Sequence, residues 1–350
     1  MSSQYTSYTQ LQEQISAAKN LFGEELKKNL DLINVECPFV IRVGTGIQDD
    51  LSGFEKSVKV GINAIPESDF EVVHSLAKWK RKTLGDYKFP IGKGIVTDMK
   101  ALRVGEVLDN LHSFVVDQWD WEKVMRPEDR NFAFLKKTVE SIYAALRSTE
   151  LKLSERYPQL KPTLPETITF IHAEQLLHKY PALSPKARER EAVKRFGAVF
   201  LIGIGGKLSH GEYHDVRAPD YDDWTSPISN NDAVSHFPEL HPGINASLSF
   251  PGLNGDILVY NPLLDEALEL SSMGIRVDAA TLRKQLETIG DTARMALPWH
   301  QDLLAERLPQ TVGGGIGRSR VAMFLLRKAH IGEVQCSFWP AEAYQTHPLL

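Results

Sequence analysis

The chain reads as an α/β protein of the α+β kind: a mostly antiparallel sheet flanked by helices. Three observations predict this. Short apolar runs of buried-strand type cluster at 197–204 (GAVFLIGI), 255–262 (GDILVYNP) and 268–277 (LELSSMGIRV), without a strict strand–helix alternation. Two long helical stretches, 5–29 and 127–156, supply the flanking layer. Segments 94–103 (GIVTDMKALR) and 112–122 (HSFVVDQWDWE) read as two strands joined by a polar loop.

Taken in order, Leu11, Ile15, Ala18, Phe22 and Leu26 recur at helical spacing. LINVECPFVIRV (32–43) reads as a strand interrupted by Pro38, which cannot donate to a ladder and so predicts an edge or an interface. SVKVGI (57–62) and FEVVH (70–74) are further strands, and Ser75 is placed to cap a short helix over 76–84. Helices are predicted at 172–180, 185–196 and 279–289. TVGGGIG (311–317) leads from a strand into a helix over 318–328. Segment 226–252 carries four prolines, two adjacent asparagines and scattered serines, which is loop composition. A loop of that length inside a compact domain is functional or disordered; the expectation is a mobile insertion near the active site, within a single catalytic domain spanning 1–350.

Hydrophobic residues make up 42% of the 350, enough for a large core. Lys plus Arg is 40 against 45 Asp plus Glu, a net charge of −5, which argues against a dedicated nucleic-acid binder. The longest apolar run, around 198–204, is far too short for a bilayer, so no membrane partner is expected. Two cysteines, Cys37 and Cys336, and a polar N-terminal segment fit a reducing, cytoplasmic setting.

Four segments carry candidate chemistry. GGGIGRSR (313–320) matches neither a Walker A loop nor the dinucleotide fingerprint. Glycines in a strand let a flat group approach the backbone, and two arginines at a helix start favour an anion. A purine on the glycines with phosphates near Arg320 would use both; a packing-driven glycine turn with solvated arginines explains the pattern equally. In the strand pair, Arg103 ends the first strand, Glu106 and Asp109 follow in the loop, and Gln118, Asp120 and Glu122 share one face of the second. A guanidinium there could hold a carboxylate and a phosphate together, although taken alone the pattern fits a solvated sheet face. RAPDYDDW (217–224) is an acidic cluster suited to an ammonium group or a hard cation, or else an acidic surface turn. Asp256 and Glu269 fall on neighbouring strands where they could hold Mg²⁺ on ATP, and Arg276 follows among small apolar residues. HGEYH (210–214) has its glutamate one place late for a zinc protease motif and is set aside.

Together these segments resemble the class II aminoacyl-tRNA synthetase catalytic core. The helix and Pro38 strand resemble its first motif, the Arg103 loop and second strand its second, and GGGIGRSR its third. End to end, QDDLSG, EVVHSLAKWKR, GGKLSHGEYHDVRAPDYDDW, GDILVYNP, ELSSMGIRVDA and PQTVGGGIG resemble, in order, the ammonia-dependent asparagine synthetases of A type. The resemblance implies a homodimer that converts aspartate, ATP and ammonia to asparagine, AMP and pyrophosphate through a β-aspartyl-adenylate. It implies Asp49 on the amino or ammonia side, Lys80 and Arg276 on the substrate carboxylates, and Arg103 bridging substrate and α-phosphate. Gln118, Asp222, Asp256, Ser271 and Ser272 become polar contacts to substrate and nucleotide. Leu111 and Gly315 lie at the nucleotide, Arg320 over the triphosphate, and Asp256 and Glu269 at Mg²⁺. Thr45 and Asp50 depart from the bacterial pattern. An aspartyl- or asparaginyl-tRNA synthetase and a non-catalytic synthetase-like regulator are the alternatives. The first should bring an anticodon-binding barrel, and the second should have lost one of the cations Lys80, Arg103, Arg276 and Arg320, all of which are present.

Overall fold

The computed structural model describes residues 3–51, 55–228 and 250–350. Its strands are β1 (Leu32–Asn34), β2 (Val40–Arg42), β3 (Lys59–Val60), β4 (Phe70–Val72), β5 (Gly94–Leu102), β6 (Val115–Val124), β7 (Thr169–His172), β8 (Ala198–Ile202), β9 (Pro227–Ile228), β10 (Phe250–Pro251), β11 (Asn254–Asn261), β12 (Glu266–Ile275) and β13 (Thr311–Gly317). The helices are α1 (Ser3–Leu30), α2 (Ala77–Asp86), α3 (Phe132–Arg156), α4 (Ala173–Lys179), α5 (Pro185–Phe196), α6 (Ala279–Ile289), α7 (Pro298–Leu304), α8 (Arg318–Leu325) and α9 (Ala341–Thr346).

Eight strands form the main sheet in the order β1-β5-β6-β13-β12-β11-β8-β7. Only the two outermost pairs, β1 with β5 and β7 with β8, are parallel; the five inner pairs are antiparallel, as the sequence predicts. Residues 32–43 do not make one interrupted strand. Pro38 separates β1, an edge of the main sheet, from β2, which joins β3 and β4 in a small sheet of its own. The break follows from the missing proline N–H: a chain that cannot donate there is free to leave one ladder and enter another. The strand over 169–172 and the short helices α7 and α9 were not legible, being too short to show a period.

Apolar periodicity explains the layers. Ile15, Ala18, Phe22 and Leu26 of α1 and Leu135, Val139, Ile142 and Leu146 of α3 lie buried in one cluster with Trp119 and Trp121 of β6. Each such side chain contributes roughly 1.5–3 kcal/mol of burial. Helix α3 starts where Asn131 accepts from the Phe134 N–H, and α6 where Asp278 and Thr281 cap reciprocally. Ser75 caps α2 only weakly. Its hydroxyl accepts from the Ala77 N–H at 3.5 Å and donates to Asp49 Oδ2 at 2.6 Å, while the Leu76 N–H is met by Asp120 Oδ2, from β6, at 2.9 Å. A carboxylate is the stronger acceptor for a helix N-terminus and makes the shorter bond.

The ends of the proline-rich segment pair with each other, Ile228 with Phe250 and Pro227 with Pro251. The rest of the predicted loop, 229–249, lies outside the described residues. The Pro251 carbonyl accepts from His172 Nε2 at 2.9 Å, while His172 Nδ1 accepts from the Glu174 N–H at 3.0 Å and caps α4. The acceptor role of Nδ1 requires the neutral ring; the Nε2–H bond would survive protonation. Burial holds the His172 pKa down to about 4, with the Pro251 bond opposing. The sign is then fixed: as pH falls below about 6.5 the unfolded chain takes the proton first, and stability drains away until about pH 4. The full loss is roughly 3 kcal/mol, of which roughly 2 kcal/mol falls between pH 6.5 and 5. Urea unfolding at pH 7 and pH 5 should show that His172→Asn flattens the pH dependence by about that amount; an unchanged slope rejects the neutral-ring account.

Candidate active site

The chemistry-bearing segments converge on one cavity of about 370 Å³ over the middle of the main sheet. Its floor is β13, flanked by β6 and β12. The glycines of β13 are there because side chains from both neighbours cross the strand. A Cβ at Gly315 would land on the Gln118 amide, and one at Gly313 would land on Glu122 Oε2 and within 2.6 Å of Arg276 Nη2. Gln118, Asp120 and Glu122 project from alternate positions of β6 as the sequence predicts, but with separate tasks. Gln118 lies over Gly315, Asp120 meets the start of α2, and Glu122 lies over Gly313 and pairs with Arg276.

In and just behind the cavity wall the charges alternate in a continuous ladder. Asp120 pairs with Lys80, which stands 3.9 Å from Glu122; Glu122 takes Arg276 at 2.8 Å; Arg276 also pairs with Asp222. Asp222 lies 3.6 Å from Arg217, and Arg217 holds Asp256 at 2.5 Å. Burial raises the Asp222 carboxyl despite Arg276 and Arg217, and pushes Asp256 up to about 7 against the pull of Arg217. Burial would also raise Glu122, yet Arg276 and Lys80 hold it below the usual carboxylate range.

Most of the predicted site residues line this cavity: Asp49, Arg103, Leu111, Gln118, Asp222, Glu269, Ser272, Arg276, Gly315 and Arg320. Three do not. Lys80 is fully buried and bound to Asp120 and, at 2.9 Å, to the Trp121 carbonyl, so it stands behind Asp120 instead of facing a substrate. Ser271 is buried, because adjacent strand residues point to opposite faces and Ser272 takes the cavity side. Asp256 is held off the lining by Arg217. Arg217 is the main residue the sequence reading underused: it opens the acidic cluster RAPDYDDW, and an arginine among buried acids was the available signal.

The anion-binding helix start also needs correction. Asp117 Oδ1 already accepts from the Ser319 N–H and hydroxyl at 3.2 and 2.6 Å, with Lys19 and Gln335 on the same carboxylate. Arg318 turns away to pair with Asp98 and cover Trp119. Of HGEYH, His214 bonds Glu189 at 3.0 Å and Gly211 adopts a φ of +91°, so no zinc-binding helix forms.

The cavity arginines divide into two kinds. Arg217 and Arg276 are neutralised by carboxylates. Arg103 has no carboxylate partner within 4.0 Å among the described residues; its one bond goes to the His74 carbonyl at 3.3 Å, and its buried Nε has none. Arg320 contacts the Leu111 and Glu269 carbonyls at 3.4 and 3.1 Å, with the Glu269 carboxylate at 3.7 Å. The Arg103 N–H bonds the Phe114 carbonyl, which keeps the guanidinium at the cavity mouth of the strand pair. Opposite, Asp49 accepts from Ser75 and from the Leu51 N–H at 2.8 Å, two bonds that leave acceptor capacity facing the cavity.

Mg²⁺ arriving with ATP needs one or two carboxylates and supplies the rest of its shell from phosphate and water. Glu269 fits, lining the cavity with its side chain 36% exposed beside Arg320. Asp256 does not fit as the residues stand, since Arg217 occupies one of its oxygens.

A family model described as aspartate–ammonia ligase matches residues 9–348. Among solved structures, asparaginyl-tRNA synthetase from Pyrococcus horikoshii complexed with asparaginyl-adenylate is similar at a TM-score of 0.65 and 12% identity, over 94% of this chain and 70% of that one. The Entamoeba histolytica asparaginyl-tRNA synthetase in complex with asparaginyl-adenylate gives 0.60 at 13% identity, over 93% and 66%. The aspartyl-tRNA synthetase of the same organism gives 0.60 at 13%, over 93% and 57%. At these identities the likeness is one of fold.

Proposed function

Because this chain belongs to the aspartate–ammonia ligase family, whose model spans residues 9–348, we propose that the cavity over β13 is where its reaction takes place. The enzyme is an ATP-dependent, AMP-forming carbon–nitrogen ligase that makes asparagine from aspartate and ammonia. One observation carries the site reading: Arg103 lines the cavity with no carboxylate within 4.0 Å among the described residues, and Arg320 lines it with a single, longer pairing to Glu269 at 3.7 Å. Bringing a carboxylate up to a triphosphate places two anions together, and unneutralised fixed cations are what lower that barrier.

In this reading Arg103 uses paired N–H groups to hold the aspartate β-carboxylate against the α-phosphate, while Arg320 lies over the phosphates. Glu269 is the residue placed to hold Mg²⁺ that comes with ATP, and the metal would add further positive charge on the leaving pyrophosphate. Arg217 and Arg276, already neutralised, instead fix Asp222 at the cavity wall. Asp222 and Asp49 are the acids available to the substrate ammonium and to ammonia. In the second step the nitrogen lone pair attacks the acyl carbon, the C–O bond to AMP breaks, and a proton leaves nitrogen; Asp49 is the group in place to take it.

Incubation with ATP, Mg²⁺, aspartate and ammonium should yield asparagine, AMP and pyrophosphate in equal amounts. ADP rising in step with asparagine, without AMP, overturns the mechanism. Asp49→Asn should keep aspartate-dependent pyrophosphate exchange while losing amidation, and equal loss of both rejects the role of Asp49.

Two further features belong to this reading. Ile33 on the edge strand β1 and Phe39 beside Pro38 are exposed, which supports an isologous homodimer through this region; light scattering at twice the chain mass tests it. The cysteines are unpaired, in keeping with a reducing cytoplasmic setting, and no described helix is long and apolar enough to cross a membrane.

A further inference from the structure

We infer that Arg294, which does not line the cavity, is a positioning residue that sets the spacing between the Asp49 and Asp222 walls and thereby the affinity for aspartate. The inference rests on the reading that these acids receive the substrate ammonium. Arg294 Nη1 lies 2.9 Å from Asp50 Oδ2 and 3.2 Å from Asp220 Oδ2. Asp50 directly follows Asp49, and Asp220 lies two residues before Asp222. The guanidinium thus joins, from outside the cavity, two chain segments that both line it.

The rest of the cluster shows a joint built to stay fixed. Asp220 is fully buried, and the same oxygen also takes Lys78 at 2.7 Å and His300 Nε2 at 2.9 Å. Arg294 is itself oriented by Asp291, at 2.9 Å from Nε and 2.8 Å from Nη2. Helix α7 docks against the Asp49 segment: the Trp299 N–H donates to the Thr45 carbonyl at 3.0 Å, and the Trp299 indole to the Lys78 carbonyl at 2.9 Å. Gly46 adopts a φ of +80°, and a Cβ there would come within 2.8 Å of His300 Nδ1, so the segment approaches α7 as closely as a backbone can. Without Arg294, Asp220 keeps two donors, Lys78 and His300, so the half-exposed Asp50 is the arm that would be released if Arg294 were lost.

The spacing matters because a bound ammonium is held by the acids on both sides, and a misplacement of about 1 Å can cost about 10²-fold. ATP contacts, placed at Arg103 and Arg320, do not depend on this joint. The experiment measures KM for aspartate, KM for ATP and kcat for the wild type, Arg294→Met and Asp50→Asn, with thermal unfolding of each. Arg294→Met should raise the aspartate KM by about tenfold or more and leave the ATP KM within about twofold. Asp50→Asn, which cuts only the partly exposed arm, should shift the aspartate KM in the same direction at an unfolding temperature close to the wild type. The double variant should be no worse than Arg294→Met, since the Arg294–Asp50 contact that Asp50→Asn weakens is already absent once Arg294 is replaced. An aspartate KM unchanged in folded Asp50→Asn and Arg294→Met overturns the inference, as does a parallel rise in both KM values. A wild type that makes no asparagine would instead refute the functional reading, and the two failures are read separately.

Discussion

Arg103→Ala and Arg320→Ala should each lower asparagine formation by about 10²–10³-fold, the usual loss on removing one charge-stabilising contact from a transition state. The structure gives the reason. Among the described residues Arg103 has no carboxylate within 4.0 Å and Arg320 has only Glu269, at 3.7 Å, so their charge is less compensated than that of Arg217 and Arg276 and is available to the reacting anions. Their removal should cost little stability, since Arg103 makes one long bond to a carbonyl and Arg320 two. Arg103→Lys should recover only part of the rate, because an ammonium cannot make the two-pronged contact. Steady-state rates with urea unfolding of the same samples check this: a rate loss that tracks lost stability, or full rescue by lysine, contradicts it.

Arg276→Met should behave in the opposite way, with a large loss of stability. Its guanidinium is bound by Glu122 at 3.1 and 2.8 Å and by Asp222, all deeply buried. Removing it leaves two buried carboxylates facing each other without their shared cation, and breaking such a pair costs about 3–5 kcal/mol. Urea unfolding should report a loss in that range, and the aspartate KM should rise as Asp222 shifts. A variant as stable as the wild type would show that the ladder is not holding these acids.

The large elements were legible because they carry a period. Residues of α1 at helical spacing, and the even-numbered face of β6, announced which way they point. What was not legible was pairing across distance. The sequence shows Arg276 and Arg103 as equivalent cations; only the fold shows that Arg276 is neutralised from β6 and the acidic cluster while Arg103 has only the His74 carbonyl and no carboxylate within 4.0 Å among the described residues. Lys80 misled for the same reason. A lysine on a short helix reads as an available charge, and nothing local reveals that Asp120 faces it from β6. The glycines of β13 were read as room for a flat ligand, whereas they also make room for Gln118 and for the Glu122–Arg276 pair. Asp117 at the start of α8 shows the limit of motif reading, because an anion site in sequence was already filled by an anion from the protein itself.

The alternating ladder from Asp120 to Asp256 also constrains how this cavity can change its substrate. Each of the five inner members answers to two neighbours, so replacing one charge leaves buried partners under-compensated. A mutational walk by single steps would therefore pass through unstable proteins before reaching a new specificity. Contacting residues of this kind couple by about 0.5–3 kcal/mol, so the viable route is by concerted exchanges, acid and base together, or through Gln118, which stands outside the ladder; Ser272 is tied to it by the Arg217 guanidinium. Libraries that vary adjacent rungs jointly should yield folded variants at positions where one-at-a-time scanning finds none.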